Sequence, residues 1–222
     1  MEIVPGIQRV DGVNGNCYII GTDELAVVDT GMPNNAGNIL GYIRKMGKKP
    51  QDVKQIIITH GHIDHIGSLA ALRKATGAKV AAHSAEAEFI AGTKQMPMAK
   101  GSMSAVLKAL GTVMRIEHAP VDVLLEEGQE AAGFRVVHTP GHTPGSIALL
   151  DAKRGIILVG DTLRVGKNGV EGPPMQFNTD SALAEASMKK IASLDFDIML
   201  SGHGEPLRPK AAEKVREFLK AG

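Results

Sequence analysis

Thr59-His60-Gly61-His62-Ile63-Asp64-His65 packs three imidazoles and a carboxylate into one short connection between an apolar run and a segment of helical periodicity. The run before it, Gln55-Ile56-Ile57-Ile58, is β-branched and reads as a buried strand. The segment after it, from about Ile66 to Thr76 with Leu69 and Leu72 inward, reads as a helix ended by Gly77. A strand–loop–helix unit of this kind belongs to an α/β protein. Its loop has a physical logic as well. In an extended stretch His60 and His62 project to the same side, and Gly61 permits the bend between them. Asp64 and His65, at the helix entrance, then face a neighbouring point, so one segment serves two metal ions. A helix cap at Asp64 with incidental surface histidines is the bland alternative, and it explains this density poorly.

The rest of the chain repeats the α/β pattern. Cys17 to Ile20 and Leu25 to Val28 flank Gly21-Thr22-Asp23-Glu24 as a hairpin, and Asn34 is placed to cap a helix running toward Met46. Lys79 to Ala82, Val121 to Leu125, Phe134 to Val137, Ile147 to Leu150, Ile156 to Val159 and Asp197 to Leu200 read as strands. Helices are expected from about Asp180 to Leu194 and from Pro209 to Leu219. No linker or low-complexity run divides the 222 residues, so a single domain, 1–222, is expected, with a helical, Met-rich insert at about 84–118. Val27-Val28-Asp29-Thr30 and Leu158-Val159-Gly160-Asp161-Thr162 echo each other, as two similar halves would.

Further candidate ligands stand at the ends of later strands. His142 lies in Thr139-Pro140-Gly141-His142-Thr143-Pro144-Gly145, Asp161 follows Gly160, and His203 sits between Gly202 and Gly204. Neighbouring glycines let the backbone turn sharply and come close to a site. Each residue alone reads as a turn or surface residue; the set reads as a metal centre. His83 and His118 have no evident partner and are expected at the surface or in packing, and His138 is expected either to be structural or to support a ligand from behind. Cys17, the sole cysteine, rules out an internal disulfide and reads as an inert buried thiol.

This ordered set resembles the metallo-β-lactamase fold superfamily, and within it the dinuclear hydrolases typified by glyoxalase II. The resemblance rests on Val28-Asp29-Thr30-Gly31, His60 to His65, His142, Asp161 and His203. It implies a four-layered αββα sandwich, two mixed β-sheets flanked by helices. It also implies that His60, His62 and His142 bind one divalent ion, that Asp64, His65 and His203 bind the other, and that Asp161 bridges them. Asp29 would orient ligands from behind. Zinc is the first expectation for both ions, with iron or manganese also compatible with such ligands. A metal-bridging hydroxide would cleave a thioester, lactone or other ester, with Asp64 as the catalytic proton acceptor.

Departures from subfamilies narrow this reading. Only Gly204 to Gly222 follows His203, short of the helical region with which glyoxalase II binds glutathione. The lactonases that quench quorum signals place a tyrosine soon after the bridging aspartate, whereas Thr162-Leu163-Arg164 stands here. β-Lactamases lack that aspartate, and the nucleases carry additional domains, which ranks β-lactam and phosphodiester substrates lower. A persulfide dioxygenase with one iron is the alternative from another reaction class. Met98 and Met103 in the insert, and Met175 and Phe177 in a loop from Arg164 to Asn178, are expected to line an apolar substrate pocket. With 25 basic and 24 acidic residues, and few aromatics, the chain offers nothing to attract nucleic acid. No apolar run is long enough to span a membrane. The start, Met1-Glu2-Ile3-Val4-Pro5-Gly6, lacks the marks of a secretory signal, so a cytoplasmic protein acting on a small molecule is expected. Oligomeric state is left open, a homodimer included.

Overall fold

The computed structural model describes residues 1–97 and 116–221. Its first sheet runs in chain order: β1 (Glu2–Val4), β2 (Ile7–Arg9), β3 (Tyr18–Ile20), β4 (Leu25–Val28), β5 (Val53–Ile58), β6 (Lys79–His83) and β7 (Val123–Leu125). Pairing is antiparallel from β1 to β4 and parallel from β4 to β7. The parallel half is connected through α1 (Ala36–Lys45), α2 (Ile63–Ile66), α3 (Leu69–Thr76) and α4 (Ala87–Ile90). The second sheet contains β8 (Glu130–Ala131), β9 (Phe134–His138), β10 (Ile147–Asp151), β11 (Ile156–Leu158) and, after the β12 (Arg164–Gly166) and β13 (Gly169–Glu171) hairpin, β14 (Ile198–Leu200). Its spatial order is β14-β11-β10-β9-β8, with β11 and β14 parallel. Helices α5 (Ser181–Ala192) and α6 (Ala211–Ala221) complete the described elements.

Strand alternation produces the layers. Val27, Ile56, Ile58, Val80 and Ala82 point outward onto Ile39 and Ile43 of α1 and Leu69 and Leu72 of α3. Their neighbours Ala26, Val28, Ile57 and Ala81 point inward and meet Phe134, Val136, Ile147, Leu149, Ile156 and Leu158 of the other sheet. The opposite face of that sheet, with Val137, Ala148, Leu150, Ile157 and Met199, is covered by Ile191 of α5 and Ala211, Ala212 and Val215 of α6. Three apolar layers thus separate four layers of secondary structure, helix–sheet–sheet–helix, as the resemblance implied.

Several local expectations change. The helix expected from Ile66 to Thr76 is two pieces, divided at Ser68, which leaves helical geometry (φ −110°, ψ 9°) and donates its hydroxyl to the Met32 carbonyl at 2.7 Å, beside Gly67 in close approach to the Met32–Pro33 backbone. Asn34 adopts a left-handed φ of 72° outside α1; Asn35 is the capping residue, and the Ser68 hydroxyl accepts from the N–H groups of Asn35 and Ala36. The β1–β2 hairpin was not anticipated, and the Arg164–Asn178 loop contains β12, β13 and a 3₁₀ turn at Met175–Phe177. Ser84–Glu86 is a 3₁₀ turn leading into α4; most of the expected Met-rich insert, including Met98 and Met103, lies outside the described residues.

Candidate metal centre

Every candidate ligand sits at one edge of the sandwich, beyond the C-terminal ends of strands, where open α/β sheets gather their binding groups. β5 delivers His60 and His62, and α2 carries Asp64 and His65. The connection from β9 to β10 carries His142, Asp161 follows β11, and His203 follows β14. Glycine is required at two close approaches. At Gly202 a Cβ would strike Asp161 Oδ1 and lie 2.7 Å from His65 Cε1. Gly141, at φ 125°, leaves the His142 turn room against the backbone of Ala184.

Among the described residues the side chains form three overlapping groups, one of which, His60, His65 and Asp161, links the other two. The ligand atoms of His60, His62 and His142 lie within 4.8 Å of one another, and so do those of Asp64, His65 and His203; we call these the first and second clusters. In the first cluster the rings stand nearly perpendicular, with interplanar angles of 81°, 71° and 88° and centroids 4.6–4.8 Å apart. The rings thus meet edge to face rather than stacking, with their ligand atoms close together. In the second cluster His203 Nε2 lies 3.1 Å from Asp64 Oδ2. Asp161 stands between the two: Oδ1 is 3.4 Å from His65 Nε2, and Oδ2 is 3.7 Å from His142 Nε2 and 3.2 Å from His203 Nε2. Among the described residues six buried side-chain polar atoms have no hydrogen-bond partner, and four of them are His60 Nε2, His65 Nε2, His142 Nε2 and Asp161 Oδ1. Buried polar atoms are normally paired. Four orphans converging on one space fit a bound cation with oxygen and nitrogen ligands.

Behind the candidate ligands a second set of contacts fixes ring orientation. Asp29, 2% exposed and at φ 59°, accepts from the Thr59 N–H at Oδ1 (2.8 Å). Its Oδ2 accepts from the Thr59 hydroxyl (2.7 Å) and from His65 Nδ1 (2.8 Å). The Thr59 proton is committed to Asp29, so Thr59 Oγ1 accepts from His60 Nδ1 at 3.1 Å. His142 Nδ1 donates to Asn178 Oδ1 at 3.1 Å. Each of these three histidines therefore carries a proton on Nδ1 and turns Nε2 toward the centre. Thr59 and Asn178 were missed in the sequence: a threonine beside a histidine and an asparagine two residues before a helix cap carry no signal of such contacts. Glu86, buried and bonded to two ligand-bearing loops, was missed for the same reason.

Without metal, the two clusters hold protons differently. Burial, reinforced by neighbouring imidazoles, pushes His60 well below the usual histidine range and His62 down to about 3; burial also lowers His142. His65 goes the other way: burial opposes its charge, but Asp161 and Asp29 hold it well above the ordinary value. Hydrogen bonds to Asp161 and Asp64 raise His203 to about 9. Burial works against ionised Asp64, yet the His203 hydrogen bond and His65 hold it at about 2, and His65 and His203 likewise hold buried Asp161 well below its normal range.

The other histidines stay outside the centre. His118 Nδ1 pairs with the Ile90 carbonyl at 3.0 Å. His83, expected to be unpaired, stacks on His138 with centroids 3.9 Å apart and planes at 12°. Cys17 is fully buried, and burial followed by the charge of Asp29 holds its thiol protonated. Met175 and Phe177 are 72% and 39% exposed, beside the Asn178 that holds His142. No described helix is long and apolar enough to cross a membrane.

A sequence profile of the metallo-beta-lactamase superfamily matches residues 10–203. "Probable metallo-hydrolase YflN" of Bacillus subtilis is 29% identical over 92% of this chain and 88% of its own. "Hydroxyacylglutathione hydrolase GloC" of Haemophilus influenzae is 26% identical over 99% of this chain and 97% of its own. Among solved structures, TTHA1623 in a di-iron-bound form superposes with a TM-score of 0.73 and 26% identity, covering 96% of this chain and 99% of that one.

Proposed function

Because the chain belongs to the metallo-beta-lactamase superfamily and is a metallo-hydrolase of it, we propose that it cleaves a thioester, lactone or other ester bond with two divalent ions. The observation that carries this reading is the pair of compact ligand clusters on either side of Asp161, with unpaired Nε2 atoms turned inward. In this assignment His60, His62 and His142 would hold one ion and Asp64, His65 and His203 the other, with Asp161 available to both. Zinc suits these borderline nitrogen and oxygen ligands; the di-iron relative makes iron the first competitor.

Bound there, such a pair supplies a water acidified toward neutrality and a Lewis acid for the scissile carbonyl. The chain's own residues do the rest. His60, His65 and His142 are buried and form the floor, whereas His62, Asp64 and His203 are part-exposed and form the mouth through which substrate enters. Asp64, with its side chain 30% exposed, is the carboxylate at that mouth and accepts the proton released as the nucleophile adds. A thiolate leaving group needs no acid, which favours thioesters, the substrate class named for the GloC relative. Exposed Met175 and Phe177 at the rim favour neutral or apolar acyl groups, and a net charge of +1 gives little steering of polyanions.

The test is metal analysis of protein purified without added metal, followed by turnover on thioester, lactone and phosphodiester panels. Two ions per chain, and a His65→Ala variant that loses one ion together with most ester or thioester hydrolysis, are expected. A protein that arrives with one iron, consumes oxygen with a persulfide and is indifferent to His65→Ala would be the dioxygenase instead.

A further inference from the structure

Glu86 is completely buried, yet among the described residues no basic side chain pairs with it. Its carboxylate is spent on the Thr143 hydroxyl and two backbone groups: Oε2 accepts from the Gly61 N–H at 2.7 Å, and Oε1 accepts from the Gly145 N–H at 2.8 Å. The two backbone partners are far apart in sequence and both belong to ligand loops. Gly61 lies between His60 and His62, and Gly145 closes the turn that begins at His142. Both loops are moulded to this side chain. A Cβ on Gly61 would sit 2.8 Å from Glu86 Oε2, and one on Gly145 would sit 2.7 Å from Glu86 Cγ. The turn that carries Glu86 is itself anchored on the same side of the site. His83 Nδ1 accepts from the Ala85 N–H at 3.2 Å, and the His83 ring stacks on His138, at the base of the His142 loop.

A buried carboxylate is expensive to keep without a counter-ion, and one that accepts two backbone N–H groups fixes their separation. We propose that Glu86 is a positioning residue for the first cluster, setting the span between the His60–His62 loop and His142 so that three imidazoles meet at one ion. The inference rests on the two-metal reading given above. It concerns one cluster only: Asp64, His65 and His203 are reached by no contact of Glu86 among the described residues.

Glutamine at position 86 keeps the shape but replaces one acceptor by a donor that faces an N–H; alanine removes both acceptors. Zinc and cobalt(II) affinities of the two sites would be measured on the full chain by chelator competition, with His142→Ala identifying which binding step belongs to the first cluster. Glu86→Gln should weaken the first cluster by about tenfold or more, in the range found for outer-shell partners, and change the cobalt absorption of that site. The second cluster should stay within about threefold of wild type, inside ordinary additivity error. In a His142→Ala background, where the first cluster is already broken, Glu86→Gln should leave the remaining ion unaffected. Unchanged affinity at the first cluster, equal loss at both clusters, or a loss that persists in the His142→Ala background would each overturn the proposal. The glutamine variant keeps the test open should Glu86→Ala fail to fold. A wild-type chain that takes up fewer than two ions would overturn the two-metal reading first, before any variant at position 86 is made.

Discussion

Replacing Asp29 by asparagine isolates what one buried carboxylate does for the second cluster. Asparagine is nearly isosteric and tolerates the left-handed φ of 59° at this position, so the backbone should survive. The chemistry does not. Asp29 accepts three hydrogen bonds, two from Thr59 and one from His65 Nδ1, at 2.7–2.8 Å, and an amide has one acceptor oxygen. If that oxygen stays on the Thr59 N–H, the NH₂ group faces His65 Nδ1. His65 must then accept there and move its own proton to Nε2, the atom that would bind metal. The opposite flip sets the NH₂ group against the Thr59 N–H and leaves two donors face to face. An unpaired buried donor costs about 1–3 kcal/mol. At about 1.4 kcal/mol per decade this is roughly 5- to 150-fold in the affinity of the second ion. Chelator competition at neutral pH on wild type and Asp29→Asn measures it directly, with thermal unfolding of the metal-free proteins as control. A variant that holds both ions as tightly as wild type would refute the reasoning.

Other outcomes are equally concrete. Asp161→Ala should lower metal content and cut hydrolysis by ~10²-fold or more, as removal of a preorganised charge does, while circular dichroism stays that of wild type. Proton release on metal binding should be unequal between the clusters. His60, His62 and His142 are neutral imidazoles at neutrality because their pKa values are depressed, so the first ion releases almost no protons, whereas His203 at about 9 and His65 above its normal range must each give one up. Affinity at the second cluster should fall as pH drops below about 9, and calorimetry in buffers of different ionisation enthalpy would count the protons. For folding of the metal-free chain the sign is opposite: the raised pKa of His203 contributes stability that is complete below the unfolded value of 6.5 and is lost as pH rises through about 9. Phe177→Glu should raise KM for apolar acyl esters several-fold with both ions retained; wild-type kinetics in that variant would remove Phe177 from the substrate surface.

What could be read in the sequence follows how local each cause is. His60, His62, Asp64 and His65 were legible because one short loop carries all four. His142, Asp161 and His203 were legible as glycine-flanked strand ends only when taken as a set with that loop. The alternation of Val27 and Val28, or of Ile56 and Ile57, encodes two buried faces, which only a layered sheet can satisfy. By contrast, Glu86 lies in Ser84-Ala85-Glu86-Ala87-Glu88, where either glutamate reads as solvated. Its backbone partners are 25 and 59 residues away. Asn178 is 36 residues from His142. The break at Ser68 has the same origin, since nothing in Ile66-Gly67-Ser68-Leu69 announces that Met32 and Pro33 pass against it. Contacts made across the fold leave no trace in local pattern.

The candidate ligands also divide between the sheets in a way that bears on mechanical behaviour. His60, His62, Asp64 and His65 hang from the first sheet, and His142, Asp161 and His203 from the second. In the two-ion reading each ion would therefore cross-link the sheets, one closing a chain loop from residue 60 to residue 142 and the other from residue 64 to residue 203. A chain with one cysteine has no disulfide available for that purpose. Coordinate bonds would take its place at this edge, with ligand free energy adding directly to the folded state. The sheets could not splay at the ligand edge without breaking those bonds, so resistance to opening there would depend on metal supply as well as on sequence.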